Sequence, residues 1–582
     1  MISQTELPIQ FNIPVTAIKK TVRILSLLFF ILCILFCCCY LAAGYARLVH
    51  WYTGLDACFY KNNSWSTGFF TEHIKARGNQ YCIAALAISC CGIFLLARNR
   101  HIAAGQIWKV KFEITDIVQV ALCLGVTTIA WFWANSLAKM SNDEVFSALN
   151  CAGLHPFQTL SYYMLPNNHV FFNLLNNIIF HACADKAASG RILSLAFYWL
   201  LTLTFLSFFK TLLKNKWLGT LVALTMALQF PVWGFGCQGR GYELLTFCEW
   251  ITFISFIKFT LYQDKNWLYL MLVACCAAYF TIPVFLYFHA AILFFALCMQ
   301  LAGKIRGFRF WQFQAVNGFI VFLLYLPCLC FSGLKAITAN QWMTIEQSYQ
   351  QIWMDLTDTC HEYMDYTFCN VGMGNYLPDL LLFLLPFTLV LYKNNATAKL
   401  FGWFYCCMWG ILIPFIIKMK VYAMDRALQG QFSVTLALTI YAVYLASTVL
   451  ARKTNIRFLP AVICPLFMVF LSANYINKDR VHITHYQCHF GVNIWNKLLT
   501  DGINENIPKG SSVAFSDESF YFYYLCRKAG YNVTKCPRGN EQYLIKLRGE
   551  PFFMGSENDF VLKAPVGDYG VYINVPFGKN SR

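Results

Sequence analysis

Two adjacent carboxylates, Asp143 and Glu144, follow a long apolar run in the sequence Ser-Asn-Asp-Glu. A carboxylate in such a place can act as a general base that takes a proton from a hydroxyl nucleophile. The same pair also suits the N-terminus of a helix, where acidic side chains offset the helix dipole. The pair alone favours the helix terminus, so the choice between these roles depends on the residues around it.

A group of polar side chains follows the acidic pair along the chain. Pro156 and Pro166 divide the intervening amphipathic stretch into short pieces, which we expect to lie along a membrane interface. The polar side chains of this stretch are His155, Asn167, Asn168 and His169. Because amide and imidazole groups both donate and accept hydrogen bonds, we predict that this group binds substrate beside Asp143 and Glu144.

Basic and aromatic side chains flank two later apolar runs. The first group, in the sequence Gln-Gly-Arg-Gly-Tyr-Glu, contains Arg240 and Tyr242. The second group contains Lys418, Lys420, Tyr422 and Arg426. The planar guanidinium of an arginine binds two oxygens of a phosphate at once. We predict that both groups bind an anionic part of the substrate, and ordinary contact with phospholipid headgroups is the alternative.

Three acidic residues and a histidine also recur at helical spacing in the segment 333–377, at positions 358, 361, 362 and 365. The side chains are those of Asp358, His361, Glu362 and Asp365. Residues three or four apart share one face of a helix. A metal site is one interpretation, but a solvated acidic helix is favoured, and no metal ligand is predicted.

The composition identifies the environment of these residues as a membrane. Of the 582 residues, 58% are hydrophobic and 13% are charged, against about 25% charged residues in an ordinary soluble domain. A bilayer accounts for this excess, because each spanning helix needs about 20 apolar residues. We predict about 13 spans, at 22–45, 80–97, 116–138, 191–209, 217–236, 243–262, 267–283, 284–302, 311–332, 378–392, 400–417, 430–450 and 458–476.

The formal net charge of +17 is explained by the orientation of these spans. Cytoplasmic loops carry an excess of Lys and Arg. With Lys19, Lys20 and Arg23 inside, every predicted inner loop is short and basic. The N-terminus is therefore predicted to be cytoplasmic and the C-terminus extracytoplasmic. A nucleic-acid partner is excluded, since no basic run is interleaved with aromatic residues in a soluble segment.

This orientation predicts three parts of the chain. An N-terminal region, 1–115, contains two spans; a membrane core, 116–476, carries the outer loops 139–190 and 333–377; and a small extracytoplasmic domain covers 477–582. The last part resembles a small α/β unit, with helices near 492–499 and 518–529 and strands at 512–515, 531–534 and 571–575. The fold class is therefore all-α and polytopic, with a small α/β domain at its C-terminus.

The ordered set of motifs resembles the C-type glycosyltransferase superfamily, GT-C. The resemblance is to the branch of protein O-mannosyltransferases and lipid A aminoarabinose transferases. It rests on an Asp-Glu loop after an early span, a His-Pro/Asn-Asn-His segment before the next span, and an Arg-x-Tyr opening a later span. The sequences SNDEVFSALNCAGLHPFQTLSYYMLPNNHVFFNLLN and QGRGYELL carry it, within Trp131–Thr448.

The resemblance implies a polyprenyl-phosphate-linked sugar donor and transfer to an acceptor hydroxyl on the extracytoplasmic face. It implies that Asp143 is the base, with Glu144 beside it, and that Arg240 and Arg426 hold the donor phosphate. No cofactor is required, although a divalent metal is compatible with this chemistry. The acceptor is expected to be a lipid, glycan or protein, and surrounding membrane lipids are the other partners. The chain departs from the family pattern in having two added spans before the one that leads into the Asp-Glu loop.

Two other functional classes fit a polytopic chain. A transporter or lipid flippase usually keeps ionisable residues at mid-membrane, whereas here the charged groups are predicted to cluster at one face. A structural subunit, in which Asp143 and Arg240 only pair, is the third interpretation. The sequence favours an inverting hexosyl- or pentosyltransferase, in a bacterial inner (plasma) membrane.

Overall fold

The structure of the chain, a computed structural model, describes residues 9–55, 70–98, 107–112, 114–137, 140–163, 168–338, 347–369, 371, 375–489, 502–515, 526–534, 541–549, 560–567 and 569–575. The membrane part contains two strands, β1 (Ile9–Pro14) and β2 (Ile107–Phe112). Its helices are α1 (Val15–Ala42), α2 (Tyr45–Leu55), α3 (Glu72–Arg98), α4 (Ile114–Leu137), α5 (Asn142–Ser147), α6 (Pro156–Ser161), α7 (Val170–Ala182), α8 (Ser189–Leu213), α9 (Lys216–Ala227), α10 (Phe230–Gly236), α11 (Tyr242–Tyr262), α12 (Lys265–Thr281), α13 (Phe285–Leu301), α14 (Arg309–Leu324), α15 (Leu326–Phe331), α16 (Leu334–Thr338), α17 (Tyr349–Phe368), α18 (Leu377–Leu384), α19 (Ala396–Gly410), α20 (Leu412–Met419), α21 (Gln429–Thr454) and α22 (Leu459–His489). A π-helical turn covers Ala148–Ala152, and 3₁₀ turns cover Leu385–Leu391 and Asp425–Ala427.

The chain is an integral membrane protein by the length and composition of its helices. Within the described ranges, eight helices are long and apolar enough to cross a membrane, and the bent pair α9 and α10 makes a ninth if it counts as one span. All 13 segments predicted as spans are helical, although several are short or broken. The exact number of spans stays a prediction.

Burial separates central spans from peripheral ones. In α11 and α21, 72% and 61% of the residues of the apolar window are buried, whereas the value is 17% in both α1 and α3. A helix that is apolar all round and buried all round belongs in the core of a bundle. The apolar surface of α1 and α3 instead faces outward, as a lipid-facing span requires.

The two N-terminal spans pack against the core at one side. β1 and β2 pair antiparallel, with Ile9 opposite Phe112, so the segment before α1 is joined to the segment before α4. The hydroxyl of Tyr40 in α1 donates to the backbone carbonyl of Cys330 in α15 over 2.8 Å. The strand pair closes the added region on itself, and contacts such as that of Tyr40 attach it to the core.

The C-terminal part contains a short helix, α23 (Asn504–Asn506), and a mixed five-stranded sheet. The strands are β3 (Ser512–Phe515), β4 (Asn532–Thr534), β5 (Tyr543–Leu547), β6 (Phe560–Val566) and β7 (Tyr569–Asn574). The order is β4-β3-β5-β7-β6, with β3 parallel to β4 and β5. The small α/β unit is confirmed, and β5 and β6 are additions to the prediction. Of the predicted helices, 492–499 and most of 518–529 lie outside the described residues.

This C-terminal domain packs directly on the acidic-pair segment. Met140, Val145, Leu149 and Ala187 share one apolar cluster with residues of the domain such as Ile507. Burying a side chain of this size contributes about 1.5–3 kcal/mol. The domain therefore supports the segment that carries Asp143 and Glu144.

Candidate active site

The acidic pair begins helix α5 through a capping box. The hydroxyl oxygen of Ser141 accepts the N–H of Glu144 over 3.3 Å, and the N–H of Ser141 donates to Oε2 of Glu144 over 2.9 Å. This reciprocal pattern satisfies two backbone donors that a helix start leaves open. The Asp-Glu pair is therefore a helix terminus, and Glu144 is the member that caps it.

Glu144 also joins three segments of the chain. Arg191, at the start of α8, donates to it from Nε over 2.8 Å and from Nη2 over 3.0 Å, and the N–H of Gly239 donates over 2.7 Å. Burial raises the pKa of the Glu144 carboxyl, but the charge and hydrogen bonds of Arg191, with the N–H groups of Ser141 and Gly239, hold the net pKa below its ordinary value. The carboxylate is thus ionised and held by four donors.

Arg191 is a site residue that the sequence prediction missed. It pairs with Glu144 through two parallel hydrogen bonds and also donates from Nη1 to Oδ1 of Asn135 over 2.7 Å. The sequence does contain one signal for it. Arg191 lies at the predicted outer end of a span, whereas basic residues are concentrated in the inner loops.

The segment after α10 lies close against the start of α8. A Cβ atom at Gly190 would lie 2.8 Å from the carbonyl oxygen of Gly239, so only a glycine fits there. The hydroxyl of Ser194 donates to the carbonyl of Gln238 over 2.6 Å. These contacts place Arg240 beside the N-terminus of α5.

Arg240 forms an ion pair with Asp143, with Nη1 and Oδ2 separated by 2.7 Å. The side chain of Arg240 is 6% exposed, whereas that of Asp143 is 38% exposed. The cation is thus fixed in the protein, and the carboxylate is accessible from outside. An accessible carboxylate at a fixed position has the geometry that a general base needs.

His169 lies on the other side of Arg240. Its Nδ1 accepts the N–H of Gly241 over 2.9 Å, so in the neutral ring the proton is on Nε2. Burial, followed by the charges of Arg240 and Arg426, lowers the pKa of His169 well below its ordinary value, which keeps the ring neutral.

The Nε2 of His169 lies 3.4 Å from Nη2 of Arg240. Both groups are N–H donors in this tautomer, so they do not form a hydrogen bond with each other. An acceptor oxygen beside both would satisfy both. His169 and Arg240 are therefore suited to bind an anionic oxygen together, such as an oxygen of a phosphate group.

Tyr242 completes the group around Arg240. Its ring centroid lies 4.9 Å from that of His169 in an edge-on arrangement, and the Arg240 guanidinium lies 5.1 Å from the Tyr242 ring centroid. A cation over an aromatic face is stabilised by the ring quadrupole. Four of the predicted residues, Asp143, His169, Arg240 and Tyr242, therefore meet where α4 ends and α8 and α11 begin.

Other predicted residues of the first outer loop have structural contacts. His155 caps α6, since its Nδ1 accepts the N–H of Phe157 over 3.3 Å. Asn168 is buried and donates to the carbonyls of Thr159 and Tyr162, and its Oδ1 accepts from Asn173. Asn167 lies outside the described residues. The substrate-binding role of these residues stays a prediction.

The second basic group is divided in the structure. Arg426 lies near enough to His169 for its charge to lower the pKa of that ring. Lys420 instead lies 5.3 Å from the ring centroid of Tyr349, and the hydroxyl of Tyr422 donates to the carbonyl of Ile352. Lys418 is exposed near the end of α20. The last three thus lie along α17 or on the surface.

The acidic set at 358–365 lies on helix α17, as predicted. Within the part of the chain that the structure describes, no three His, Cys, Asp or Glu side chains are grouped so that they could hold a metal ion. Burial and the charges of Asp425 and Asp365 raise the pKa of Glu362.

Two buried carboxyl groups in the span α11 were not singled out from the sequence. Glu243 and Glu249 have no exposed surface, and among the described residues the Glu243 oxygens have no hydrogen-bond partner. Glu249 lies against the N-terminus of α21, where a Cβ atom at Gly430 would lie 2.5 Å from its Oε2. Ionisable groups in a membrane span are costly and usually serve a function. The prediction that charged groups cluster at one face of the membrane therefore did not include the buried Glu249 of α11.

Comparisons with known proteins give structural likeness alone. No protein family and no curated protein sequence matches the chain. ArnT from Cupriavidus metallidurans bound to undecaprenyl phosphate is 12% identical, with a TM-score of 0.42, over 78% of this chain and 98% of that one.

Two further solved structures are similar. The archaeal oligosaccharyltransferase AglB from Archaeoglobus fulgidus, in complex with an inhibitory peptide and a dolichol-phosphate, has a TM-score of 0.41 at 10% identity, over 73% and 69% of the two chains. Arabinosyltransferase EmbB from Mycobacterium smegmatis has a TM-score of 0.37 at 11% identity, over 77% and 46%. These three solved structures are GT-C glycosyltransferases, the class that the sequence motifs of this chain resemble.

Proposed function

We propose that this chain is a membrane glycosyltransferase that moves a hexosyl or pentosyl unit from a polyprenyl-phosphate-linked donor to an acceptor hydroxyl. One observation carries the proposal: an accessible carboxylate, Asp143, is joined by a 2.7 Å ion pair to Arg240, which lies 3.4 Å from His169. A base and a pair of oxyanion donors thus lie side by side. Transfer on the extracytoplasmic face of a bacterial inner membrane, to a lipid, glycan or protein acceptor, is part of this proposal.

In this mechanism the donor phosphate lies against Arg240 and the Nε2–H of His169. As the bond between the anomeric carbon and the phosphate oxygen breaks, negative charge develops on that oxygen. Fixed donors that face the developing charge lower the barrier without reorganising. The charge of Arg426 adds to the positive potential at the same place.

Asp143 takes the proton of the acceptor hydroxyl. The hydroxyl oxygen forms a bond to the anomeric carbon on the face opposite to the leaving phosphate, so the configuration inverts. Phosphate is a good leaving group, and the proposed steps need no cofactor, although a divalent metal is compatible with them. Glu144 positions the base, because its carboxylate is held by Arg191 and by the N–H groups of Ser141 and Gly239.

The test compares two substitutions that each remove one carboxylate. Purified Asp143→Asn should transfer sugar about 10²–10⁴-fold more slowly than the wild type, as loss of a general base predicts. Asp358→Asn, on the exposed face of α17, is the matched control and should transfer at the wild-type rate. Radiolabelled polyprenyl-phosphate sugars and candidate acceptors provide the assay. Full activity of Asp143→Asn, with thermal stability unchanged, would contradict the assignment of the base.

A transporter or lipid flippase is the second candidate, and Glu243 and Glu249 are the observation that favours it. Buried carboxyl groups in a central span are typical of ion-coupled transport. The two functions differ in what they need: translocation requires a sealed bilayer, whereas sugar transfer proceeds in detergent micelles. Movement of labelled lipid in proteoliposomes that depends on Glu243 and Glu249, without sugar transfer in micelles, would establish the transporter.

A further inference from the structure

A cavity of about 320 Å³ lies where the segment between α7 and α8 meets the C-terminal domain. Its apolar wall is formed by Leu149 and Ala187, which belong to the cluster on which the domain packs. Its charged lining is formed by Asp185, Lys186, Arg527 and Lys528. Each part of the chain therefore contributes a basic side chain to one cavity.

The two charged side chains that the membrane part contributes to this cavity are held by local contacts. The Nζ of Lys186 donates to the carbonyl of His181 over 2.8 Å and lies 5.6 Å from the ring centroid of Phe180. The Oδ1 of Asp185 accepts the N–H groups of Ala187 and Ala188 over 3.2 and 3.3 Å, so that oxygen serves the backbone. Three cations against one carboxylate give a positive potential that attracts anions.

The cavity adjoins the candidate active site. Leu149 follows Asp143 by six residues along α5 and the π-helical turn, which corresponds to a separation on the order of 9 Å. Ala187 precedes Arg191, the partner of Glu144, by four residues along the chain. The cavity therefore lies near the candidate active site, at a distance that one sugar-sized acceptor can span.

We propose that this cavity is an acceptor subsite, and that it binds an oxyanion group, such as a phosphate, of the acceptor whose hydroxyl reaches Asp143. That the bound molecule is the acceptor rests on the proposed function. That an oxyanion binds here rests on the cavity alone. Lys186 comes from the membrane part, and Arg527 and Lys528 come from the C-terminal domain. The domain therefore takes part in substrate selection, in addition to supporting α5.

Binding can be tested on the unmodified protein by lysine footprinting. The purified full chain is treated with an acetylating reagent at constant ionic strength, with inorganic phosphate replacing chloride, and acetylation is measured by mass spectrometry. Phosphate should slow the acetylation of Lys186 and Lys528 in a saturable way. Lys509 and Lys563, exposed elsewhere on the C-terminal domain, are the control lysines and should react at an unchanged rate.

The substitution Arg527→Gln gives the second measurement, because this exposed side chain is not required for the apolar contact. It should weaken the protection by phosphate about tenfold, as the loss of one charge-assisted hydrogen bond predicts. Equal acetylation of all four lysines with and without phosphate would overturn the proposal. So would protection by nanodiscs of anionic lipid with none by free phosphate, since the cavity would then contact the bilayer and not the acceptor.

Transfer kinetics separate this proposal from the proposed function. The triple variant Lys186→Gln, Arg527→Gln, Lys528→Gln should raise the KM for a phosphate-bearing acceptor about tenfold or more, with the KM for the donor unchanged. The control triple variant Lys509→Gln, Arg548→Gln, Lys563→Gln removes the same charges and should change neither value. An unchanged acceptor KM overturns the subsite. If the wild type transfers no sugar, the proposed function fails, and the footprint still decides whether the cavity binds an oxyanion.

Discussion

The position of Asp143 depends on its neighbour Glu144. Glu144 accepts hydrogen bonds from the helix cap, from Arg191 and from Gly239, so it links α5, α8 and the segment before α11. Two adjacent carboxylates thus have different environments, since one is buried and paired while the other is accessible. The difference predicts a structural role for Glu144 and a chemical one for Asp143.

The substitution Glu144→Gln tests this division. It leaves the buried charge of Arg191 without its carboxylate, and removing one partner of a buried ion pair costs about 3–5 kcal/mol. We expect a lower thermal unfolding temperature as well as slower transfer, whereas Asp143→Asn should slow transfer alone. The double variant Glu144→Gln, Arg191→Met removes both charges and should recover part of the stability. An unfolding temperature of Glu144→Gln equal to that of the wild type would contradict the positioning role of Glu144.

The pH dependence of stability follows from the pKa of His169. This pKa is lowered by burial and by the charges of Arg240 and Arg426, so below about pH 6.5 the unfolded chain takes up a proton that the folded chain does not. Stability should therefore fall as the pH is lowered from 7 to 5. In His169→Gln the unfolding temperature should fall less over the same range. Equal slopes in the two proteins would show that His169 is not held neutral.

Glu144 affects the stability of the protein at a more acidic pH than His169 does. Its folded-state pKa lies below the ordinary 4.5, so its contribution to stability is complete above that value and is lost as the pH falls through the lower folded-state pKa. The two titrations can thus be separated by the pH at which each slope begins.

Sequence reasoning identified much of this residue group, but not all of it. Asp143, His169, Arg240 and Tyr242 were predicted as partners because their chemistry and predicted side of the membrane agree. Arg191 was missed because its role depends on a contact 47 residues away in sequence, and no local pattern encodes that distance. The burial of Glu243 was missed because it is the first residue of the predicted span 243–262, where an acidic side chain is expected to be solvated.

At the scale of elements, the close approach of α8 to the Gln238–Arg240 segment determines where Arg240 lies. Gly190→Ala would place a Cβ atom 2.8 Å from the Gly239 carbonyl oxygen, so the segment must shift. A misplacement on the order of 1 Å can slow an enzyme about 100-fold, and we expect such a loss of transfer. Gly125→Ala in α4 is the control, because no described atom lies within 4 Å of its Cβ position. Equal rates in the two variants would contradict this role of Gly190.

Hydropathy predicted where helices lie better than where they bend. The predicted boundary between the spans 267–283 and 284–302 is confirmed, since α12 ends at Thr281 and α13 begins at Phe285. The predicted span 217–236 is instead two helices bent by 66°. At the bend, the side chain of Gln229 donates to the carbonyls of Thr367 and Phe432, and such tertiary contacts are not visible in a window of sequence.

At the scale of the whole molecule, the C-terminal domain and the membrane part form one apolar contact. Truncation after His489 would expose the side chains of Val145 and Leu149, each now buried. We expect the truncated protein to unfold at a lower temperature and to transfer sugar more slowly, because α5 loses its support. Ile507→Asp, which charges a buried residue of the same cluster, should have a similar effect with the domain present. A truncated protein as stable and as active as the full chain would contradict this account.

The strand pair formed by β1 and β2 has a consequence for the biosynthesis of the protein. The two strands lie about 100 residues apart along the chain, so their pairing closes a long loop. During translation, β1 leaves the ribosome long before its partner exists, and it must wait while α1 and α3 enter the membrane. The pairing can thus form only once the first helical hairpin is inserted with both strands on the same side. This contact therefore stabilises the first helical hairpin only in the topology that places both strands on one side of the membrane.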